Sequence, residues 1–428
     1  MIGKKRLYAD AAAATPLSPR ARGELVRLLA VYGNPGALHS EGVEARRELE
    51  AARKTIAEAV RAHPDEIVFT ASGTEGNNLA IAGVLRPLLQ RCGTSDIPHR
   101  LHAITCAVEH QSVLEPLRAL QREGLELTEL EVDSEGLVDP KKLARAITDR
   151  TVFVSVQLVN SEVGTIEPVR EIVKEIRRTR QSRNSSAPTL RGASPSPIGA
   201  SRVSALPLKP LPLHFHTDAS QAPLWLPLAV EKLGVDLMTL DGQKVLGPKG
   251  VGALYIKRGT KVEPILHGGK QEFGLRGGTE NAPLAGAFAV ALQDAQKGVE
   301  ARAEKVSTIR DFLIAEIKKL LPDAIINGPD VKVTPCHRVA NNISVSISGL
   351  DGEMATIAMD ARGIAVSTRS ACNIGDEEPS HVIKALGVPK HLGKTAIRIT
   401  LLPDATKKDA QRIAKTLFEI AKKYRVVV

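Results

Sequence analysis

The sequence holds only four cysteines in 428 residues, and this scarcity limits what they can do. Cys92, Cys106, Cys336 and Cys372 form no metal-binding CxxC pair, and so few cysteines in so long a chain make no disulfide framework. We therefore expect no metal site and a reducing, cytoplasmic environment. Cys372 is the exception among free thiols, which are usually buried, because its surroundings, VSTRSACNIGDEEPSHVIKALG, are polar and acidic.

Aromatic residues are also scarce, at 3% of the chain, although the net charge is +10. A basic nucleic-acid-binding protein usually carries a recognisable aromatic or basic motif, and none is present. No run approaches the roughly 18 apolar residues that cross a bilayer, and the start, MIGKKRLYADAAAATPL, lacks the apolar core of a secretory signal. We predict no direct nucleic-acid binding and no membrane attachment. The charge instead suits anionic protein partners.

Short apolar runs alternate with longer helical patterns in the first part of the chain. The runs are EIVFTAS, HAITCAV, TVFVSVQLV, LHFHTDAS, VDLMTLDG and GALYIK, and helical patterns occupy 74–92, 110–124 and 165–180. Buried strands joined by crossover helices predict a mostly parallel α/β sheet. Ser18-Pro19 and Asp139-Pro140 each place a cap residue before a proline, which predicts two helix starts.

From about residue 280 to 323 the pattern is one long helical stretch. Strand-like runs follow at 341–347, 363–368 and 396–401, with a closing amphipathic helix near 405–424. This change predicts a second, smaller α/β domain. We expect residues 15–263 to form the large domain, and residues 1–14 and 264–428 to form the small one.

Residues 181–213 have a different composition. They hold seven serines, six prolines and four basic residues, but no acidic residue. Such a segment buries too little apolar surface to offset the entropy of ordering it. We interpret it as a flexible surface insertion, with a partner-binding arm as the alternative.

Three features in separate parts of the large domain point to one cofactor. Lys244 follows the strand-like run 235–240 in a glycine-rich turn, which suits a Schiff-base lysine but equally a surface lysine. Asp218 ends another apolar run, where it could cap a helix or pair with a pyridine nitrogen. Gly73 and Thr74 start a helix after a strand, which is the usual seat for a phosphate. Together these are the three groups through which a protein binds pyridoxal 5′-phosphate (PLP).

Ten motifs, all in family order, give the chain its resemblance to the cysteine desulfurases, class-V aminotransferases of PLP fold type I. They are YADAAAATP, NPGALHSEGVEAR, FTASGTEGNN, VEHQSV, VNSEVGTIEP, HTDASQ, GPKGVGALY, RGGTEN, STRSACN and EEPSHVIKALG. The resemblance runs from about Tyr8 to Leu401 and is interrupted by the insertion. It implies an α/β fold, with a large PLP-binding domain and a smaller C-terminal domain.

The resemblance also implies a role for each motif residue. Lys244 would bond the cofactor and move the α-proton of the substrate, while His110 would stack on the ring. The other cofactor contacts would come from Gly73, Thr74, Asp218, Gln221 and Thr279, the last from the neighbouring subunit of a homodimer. Asn160 and Arg398 would bind the substrate carboxylate, with Asn34 nearby. Without the resemblance, His110 would be a core histidine, Asn160 a capping residue and Arg398 a surface arginine.

Cys372 would be the nucleophile in such an enzyme. Its thiolate would take the sulfur of L-cysteine, leaving L-alanine and a persulfide on the protein. The loop from Cys372 to Pro379-Ser380 has the length of the family branch that hands sulfur directly to scaffold proteins. The resemblance therefore implies an iron–sulfur scaffold or another sulfur-acceptor protein as partner, serving cluster assembly or transfer-RNA thiolation.

The sequence departs from the family next to Lys244. Asp241 and Gln243 stand where the family usually has serine and histidine, which replaces a phosphate-binding hydroxyl by a carboxylate. We expect Asp241 to turn away from the phosphate and cap a backbone N–H of the turn, which would leave Gln243 and Thr74 as phosphate donors to the cofactor. Two rival functions stay open: a selenocysteine lyase, and a non-catalytic basic binding protein on the same scaffold.

Overall fold

The computed structural model describes residues 6–92, 100–186, 212–333, 336–368 and 378–426. Its strands are β1 (Leu7–Tyr8), β2 (Ile67–Thr70), β3 (His102–Cys106), β4 (Glu126–Leu130), β5 (Thr151–Ser155), β6 (His214–Asp218), β7 (Leu237–Asp241), β8 (Gly252–Ile256), β9 (Ile325–Asn327), β10 (Asn342–Ser346), β11 (Ile364–Ala365) and β12 (Ile397–Thr400). Its helices are α1 (Pro19–Leu28), α2 (Ser40–Val60), α3 (Gly73–Gln90), α4 (Gln111–Arg122), α5 (Pro140–Ala146), α6 (Val169–Ser186), α7 (Val230–Leu233), α8 (Ala282–Gln296), α9 (Val299–Leu320), α10 (Gly352–Asp360), α11 (His381–Ala385), α12 (Lys390–Gly393) and α13 (Lys407–Tyr424).

Seven strands form the central sheet, in the order β2-β8-β7-β6-β5-β3-β4. β8 is antiparallel to both of its neighbours, and the other neighbouring pairs are parallel. The prediction of a mostly parallel α/β sheet is therefore confirmed. All six predicted apolar runs lie in this sheet. β4 was missed because its sequence, ELTEL, is a partly exposed edge strand without a continuous apolar run.

Alternate residues of each strand point to opposite faces, and each face carries its own apolar cluster. In β2, Val68 belongs to the cluster that α3 and α4 cover, whereas Ile67 and Phe69 belong to the cluster on the other side. Both caps predicted at prolines are present, since the Ser18 side chain accepts from Ala21 N–H and the Asp139 side chain from Lys141 N–H.

The C-terminal part contains two smaller sheets. β9, β10 and β12 form an antiparallel sheet, and β1 pairs in parallel with β11, which ties the start of the chain to this part. The predicted long helix is two helices, because Gly298 adopts a left-handed φ of 63° between α8 and α9. A smaller α/β part is thus present, and α8 packs on α1 and α2. The domain boundaries at residues 14 and 263 stay a prediction.

Helix α6 continues to Ser186, past its predicted end at 180, so the proposed insertion begins inside a helix. Residues 187–211, which make up most of that insertion, lie outside the described part of the chain. Within the described residues, no helix is both long enough and apolar enough to cross a membrane.

Candidate active site

A cavity of about 230 Å³ lies where several strands of the central sheet end. In a parallel sheet the carboxyl ends of the strands meet at one edge, where ligands usually bind. β6 ends at Asp218 and β7 at Asp241. The cavity wall consists of Ala12, Ala13, Gly73, Thr74, His110, Ser112, Gln157, Val159, Ser161, Asp218, Ser220, Gln221, Asp241, Gln243, Lys244 and Arg398. Eight residues predicted from the sequence as site residues are on this wall.

The N-terminus of α3 forms one end of the cavity. Ser72 caps the helix by accepting from Glu75 N–H at 3.2 Å, which leaves Gly73 and Thr74 as its first residues on the wall. A Cβ on Gly73 would lie 3.0 Å from Ser220 Oγ and 3.3 Å from Asp241 Oδ2. Only glycine keeps this corner open. The corner thus combines exposed backbone N–H groups, a hydroxyl and a carboxylate.

Asp218 is held by two donors. Asn77 Nδ2 donates to its Oδ2 at 2.8 Å, and Ser220 N–H donates to its Oδ1 at 2.9 Å. Asn77 also donates to Ser112 Oγ at 2.8 Å, and Ser112 Oγ lies 2.7 Å from Nδ1 of His110. One fully buried amide therefore links the carboxylate to the imidazole and fixes both.

His110 caps α4 with its ring, because Nδ1 accepts from Ser112 N–H at 3.1 Å. This bond keeps Nδ1 unprotonated. Burial lowers the pKa of His110, and the nearby Lys244 cation lowers it further, while Asp218 opposes both effects. The ring is therefore neutral at physiological pH, which suits stacking on an aromatic ligand.

Lys244 ends the short 3-10 turn Gly242–Lys244 and reaches across the cavity to the start of the chain. Its Nζ donates to the carbonyls of Ala12 at 2.8 Å and Ala13 at 2.6 Å. Gln221 Nε2 donates to the same Ala12 carbonyl at 2.9 Å. Burial lowers the pKa of Lys244, with Asp241 opposing the shift. A larger fraction of this amine is therefore unprotonated and nucleophilic than on the surface.

Asp241 was expected to cap the turn and to face away from the cavity, and only the first is observed. Its Oδ1 accepts from Gln243 N–H at 3.1 Å, so it caps the turn as expected. It does not turn away, because it lines the cavity and faces Gly73. Its Oδ2 also accepts from Gln243 Nε2 at 3.2 Å, so the amide predicted to bind phosphate is engaged by the carboxylate.

The residues predicted to bind substrate fall into two groups. Arg398 is buried on the cavity wall. Asn160 and Asn34 are not on that wall: Asn160 Oδ1 caps the turn that follows it, accepting from Glu162 and Val163 N–H at 2.8 and 2.9 Å. Asn34 is exposed and accepts from Gly36 N–H at 2.9 Å. The substrate contact of either asparagine stays a prediction.

Thr279 lies apart from Lys244, in a second cavity of about 210 Å³ that also contains Arg276 and Glu280. It is exposed, and its contact with the cofactor of a neighbouring subunit stays a prediction. Arg276 Nε donates to Glu75 Oε1 at 2.9 Å and so links this segment to the first turn of α3. Cys372 lies outside the described residues.

Several wall groups escaped the sequence interpretation. The Ala12 and Ala13 carbonyls are backbone groups without a side-chain signal. Asn77 is buried behind the wall, near the start of α3. Ser220 could have been found, because it directly precedes Gln221 in HTDASQ. Behind the wall lies Glu109, fully buried, with Oε1 accepting from Gln157 N–H at 2.7 Å. Burial raises the pKa of Glu109 well above its usual range, and Asp218 adds to this rise.

Comparison with known proteins identifies the family. The aminotransferase class-V model matches residues 7–182 and 209–413, and the gap falls inside the predicted insertion. Cysteine desulfurase IscS of Dictyoglomus turgidum is 37% identical over 425 residues, covering 99% of this chain and 96% of that protein. Human cysteine desulfurase is 34% identical over 423 residues, covering 98% and 82%. The chain belongs to the cysteine desulfurase family.

Solved structures agree with this family in fold. A NifS-like protein superimposes with a TM-score of 0.82 at 29% identity, covering 98% of this chain and 100% of the other. SspA in complex with cysteine gives a TM-score of 0.71 at 28% identity, covering 94% and 100%. The predicted family and its fold, type I of the PLP enzymes, are confirmed.

Proposed function

We propose that this protein is a PLP-dependent cysteine desulfurase, which converts L-cysteine to L-alanine and keeps the sulfur as a persulfide on Cys372. One observation carries the proposal: a single cavity contains Lys244, Asp218, His110 and Arg398 beside the N-terminus of α3. These groups come from distant parts of the chain. Their convergence is what a PLP-dependent reaction on an amino acid needs.

The wall groups fit PLP. The open corner at Gly73, with the first N–H groups of α3 and the Ser220 hydroxyl, suits a phosphate. Asp218 is held in one orientation by Asn77 and Ser220 and would face the ring nitrogen. Asp241 is the member that fits least, because a carboxylate repels a phosphate. When bound, the protonated ring of PLP accepts the electron pair released at the α-carbon of the substrate.

The chain's own residues supply the proton transfers and the orientation. Lys244, whose pKa burial lowers, can provide a neutral amine as nucleophile and then carry the α-proton. Neutral His110 would lie against the ring. Arg398 would hold the α-carboxylate, which fixes the α-proton relative to Lys244.

Cys372 would complete the reaction. Its thiolate attacks the sulfur of the bound substrate, an S–S bond forms, and the C–S bond breaks. The electron pair of the C–S bond stays on the β-carbon, which takes up a proton. L-cysteine and one thiol thus give L-alanine and one persulfide, and no external oxidant is required.

We propose a homodimer in which Thr279 reaches the partner's cofactor, as the resemblance implies. The sulfur acceptor would be an iron–sulfur scaffold or another acceptor protein, and the net charge of +10 supports an acidic one. A cytoplasmic location remains part of the proposal, with no direct contact to nucleic acid or membrane. In the described part of the chain, Cys92, Cys106 and Cys336 are free thiols, which fits a reducing compartment.

Two measurements test the proposal together. Alanine and protein persulfide are quantified after adding L-cysteine to the wild type, Lys244→Ala and Cys372→Ser. We expect both products from the wild type and neither from the variants, although Cys372→Ser should keep the cofactor spectrum. Borohydride reduction followed by peptide mapping should place the pyridoxyl label on Lys244, and a label on Lys249 or Lys257 would overturn the assignment.

The rivals give different results in the same assay. A selenocysteine lyase would form alanine from L-selenocysteine but not from L-cysteine. A non-catalytic binding protein would purify without cofactor absorption and would form no alanine from either. Neutral Gln243 and charged Asp241 beside Lys244 are the features that favour this second rival.

A further inference from the structure

An ion pair beside the cavity joins Arg398 to the start of the chain. Arg398 Nη2 donates to Asp10 Oδ1 at 2.9 Å, and the two side chains are 3% and 18% exposed. Their backbone segments are also adjacent, since Asp10 forms a parallel bridge with Thr400, two residues after Arg398. Arg398 lines the cavity but Asp10 does not. The carboxylate therefore holds the guanidinium from outside the cavity.

The guanidinium keeps donors that the described part of the chain does not satisfy. Of its five N–H groups, one serves Asp10, and Nη1 makes only a long contact of 3.4 Å to the carbonyl of Ser161. Nε is buried and has no partner within the described residues. Buried donors are rarely left unpaired, because this costs free energy. A carboxylate entering the cavity would satisfy the donors that Asp10 leaves.

The same cavity holds groups that could capture a free guanidinium. The carboxylates of Asp218 and Asp241 are both on the wall, and the corner at Gly73 suits a phosphate. An arginine side chain is long and rotates freely unless it is anchored. Without Asp10, Arg398 could therefore pair with an anion inside the cavity instead of presenting its donors to a ligand.

We propose that Asp10 is a positioning residue, which aims Arg398 at the α-carboxylate of the amino-acid substrate and so makes a free α-carboxylate a requirement for binding. This inference rests on the proposed function, which identifies the ligand of Arg398. Preorganised in this way, the guanidinium loses little freedom when the carboxylate binds.

The test compares two ligands that differ only at the carboxyl group. The cofactor-loaded protein is titrated with L-alanine and with L-alaninamide, and the change in the cofactor spectrum gives each dissociation constant. We expect the wild type to bind the acid at least ~10-fold more tightly than the amide, as the loss of a charged hydrogen bond predicts. Asp10→Ala should lower that preference to about threefold or less, mainly by weakening the binding of L-alanine.

A matched control comes from the same N-terminal segment. Arg6 pairs with Asp360, and both side chains are exposed. Asp360→Ala breaks an ion pair that tethers the same part of the chain without facing the cavity, and it should keep the wild-type preference. Asp10→Glu, which restores the charge, should recover part of it. The KM for L-cysteine should rise more than kcat falls in Asp10→Ala.

Each other outcome overturns the proposal. If Asp10→Ala weakens the binding of L-alanine and L-alaninamide equally, Asp10 has only a structural role. If the variant keeps the wild-type preference for the acid with unchanged affinities, Arg398 does not need Asp10 to bind the carboxylate. Asp10→Asn, nearly the same size, gives the same comparison if the alanine variant fails to fold. If the wild type forms no alanine from L-cysteine, the proposed function fails, whereas the acid-to-amide preference still decides the role of Asp10.

Discussion

Glu272→Gln should destabilise the protein strongly, because it removes one charge from a buried ion pair. Arg53 Nη1 and Nη2 donate to the two oxygens of Glu272 at 2.7 and 2.8 Å, and the side chains are only 3% and 2% exposed. Phe69 N–H donates to the same carboxylate at 2.7 Å. The guanidinium lies 5.0 Å from the ring centres of both Phe69 and Phe273.

The expected loss follows from what remains. Glutamine keeps one acceptor but leaves the buried Arg53 with a single charged partner, Glu50, whose side chain is 52% exposed and lies 3.1 Å from Nε. Removing one partner of a buried pair costs about 3–5 kcal/mol, and the remaining contact with Glu50 places the loss in the lower part of this range. The backbone offsets part of this loss, because Glu272 and Phe273 have φ of 47° and 58°, a strained conformation that can relax once the ion pair is weakened. We therefore expect the free energy of unfolding to fall by about 3–4 kcal/mol.

Urea unfolding followed by the fluorescence of Trp225, the single tryptophan, measures this loss. Asp65→Asn is the matched control, because Asp65 also accepts from two nitrogens of one arginine, Nε and Nη2 of Arg258, at 2.8 and 2.7 Å. Here, however, the side chains are 52% and 57% exposed. It should cost at most about 1 kcal/mol.

The double variant Arg53→Met/Glu272→Leu should recover most of the lost stability, because it leaves no buried charge unpaired, and Glu50, which loses its partner, is 52% exposed. If Glu272→Gln costs no more than the surface control, or if the double variant is no better than the single one, the argument from burial is wrong. All variants are compared at one protein concentration, since assembly would shift the apparent stability.

Three further predictions concern the cavity, the buried carboxyl of Glu167 and the insertion. Asp241→Asn keeps the cap but removes a charge that repels the cofactor phosphate by at least about 1 kcal/mol. The variant should therefore bind the cofactor more tightly than the wild type in titrations, with a larger difference at pH 8, where the phosphate is more fully ionised, than at pH 6; equal cofactor affinities of the two proteins would refute this. Burial raises the pKa of Glu167 from 4.5 to about 8, so the folded state retains a proton there and stability should fall as pH rises through this window. Urea unfolding at pH 5 and 9 measures how much the free energy of unfolding falls between these pH values. This fall should be about 2–5 kcal/mol smaller in Glu167→Gln than in the wild type, and an equal fall in both proteins would contradict the prediction. Deleting residues 187–211 should change the free energy of unfolding by about 1 kcal/mol or less and leave alanine formation intact; loss of cofactor would show otherwise.

The sequence predicts most of the central sheet, because its strands are continuous apolar runs bounded by turns. It also predicts the residues that face the cavity from strand ends, since parallel strands bring Asp218 and the turn of Lys244 to one edge. β4 escaped because one side of it is solvated, and the division between α8 and α9 depends on a single glycine.

What could not be predicted is mostly backbone. The carbonyls of Ala12 and Ala13 bind Lys244, yet alanine carries no sign of this in its side chain. The side-chain oxygen of Asn160 accepts hydrogen bonds from the backbone of the turn that follows it. Whether an asparagine binds its own turn or a distant ligand is not decided by residue type alone. Asp241 was expected to cap the turn and face away from the cavity, but the turn is so short that Asp241 caps it while still lining the cavity.

The pairing of Asp10 with Arg398 also bears on how the protein is made. These residues are 388 positions apart, so the contact closes a loop of almost the whole chain. During synthesis the cavity has no guanidinium wall until β12 has left the ribosome, even though the strands of the central sheet are complete long before. If Arg398 binds the substrate carboxylate as proposed, the capacity to distinguish an amino acid from a simple amine is acquired last, and a nascent chain that stops short of β12 would lack it.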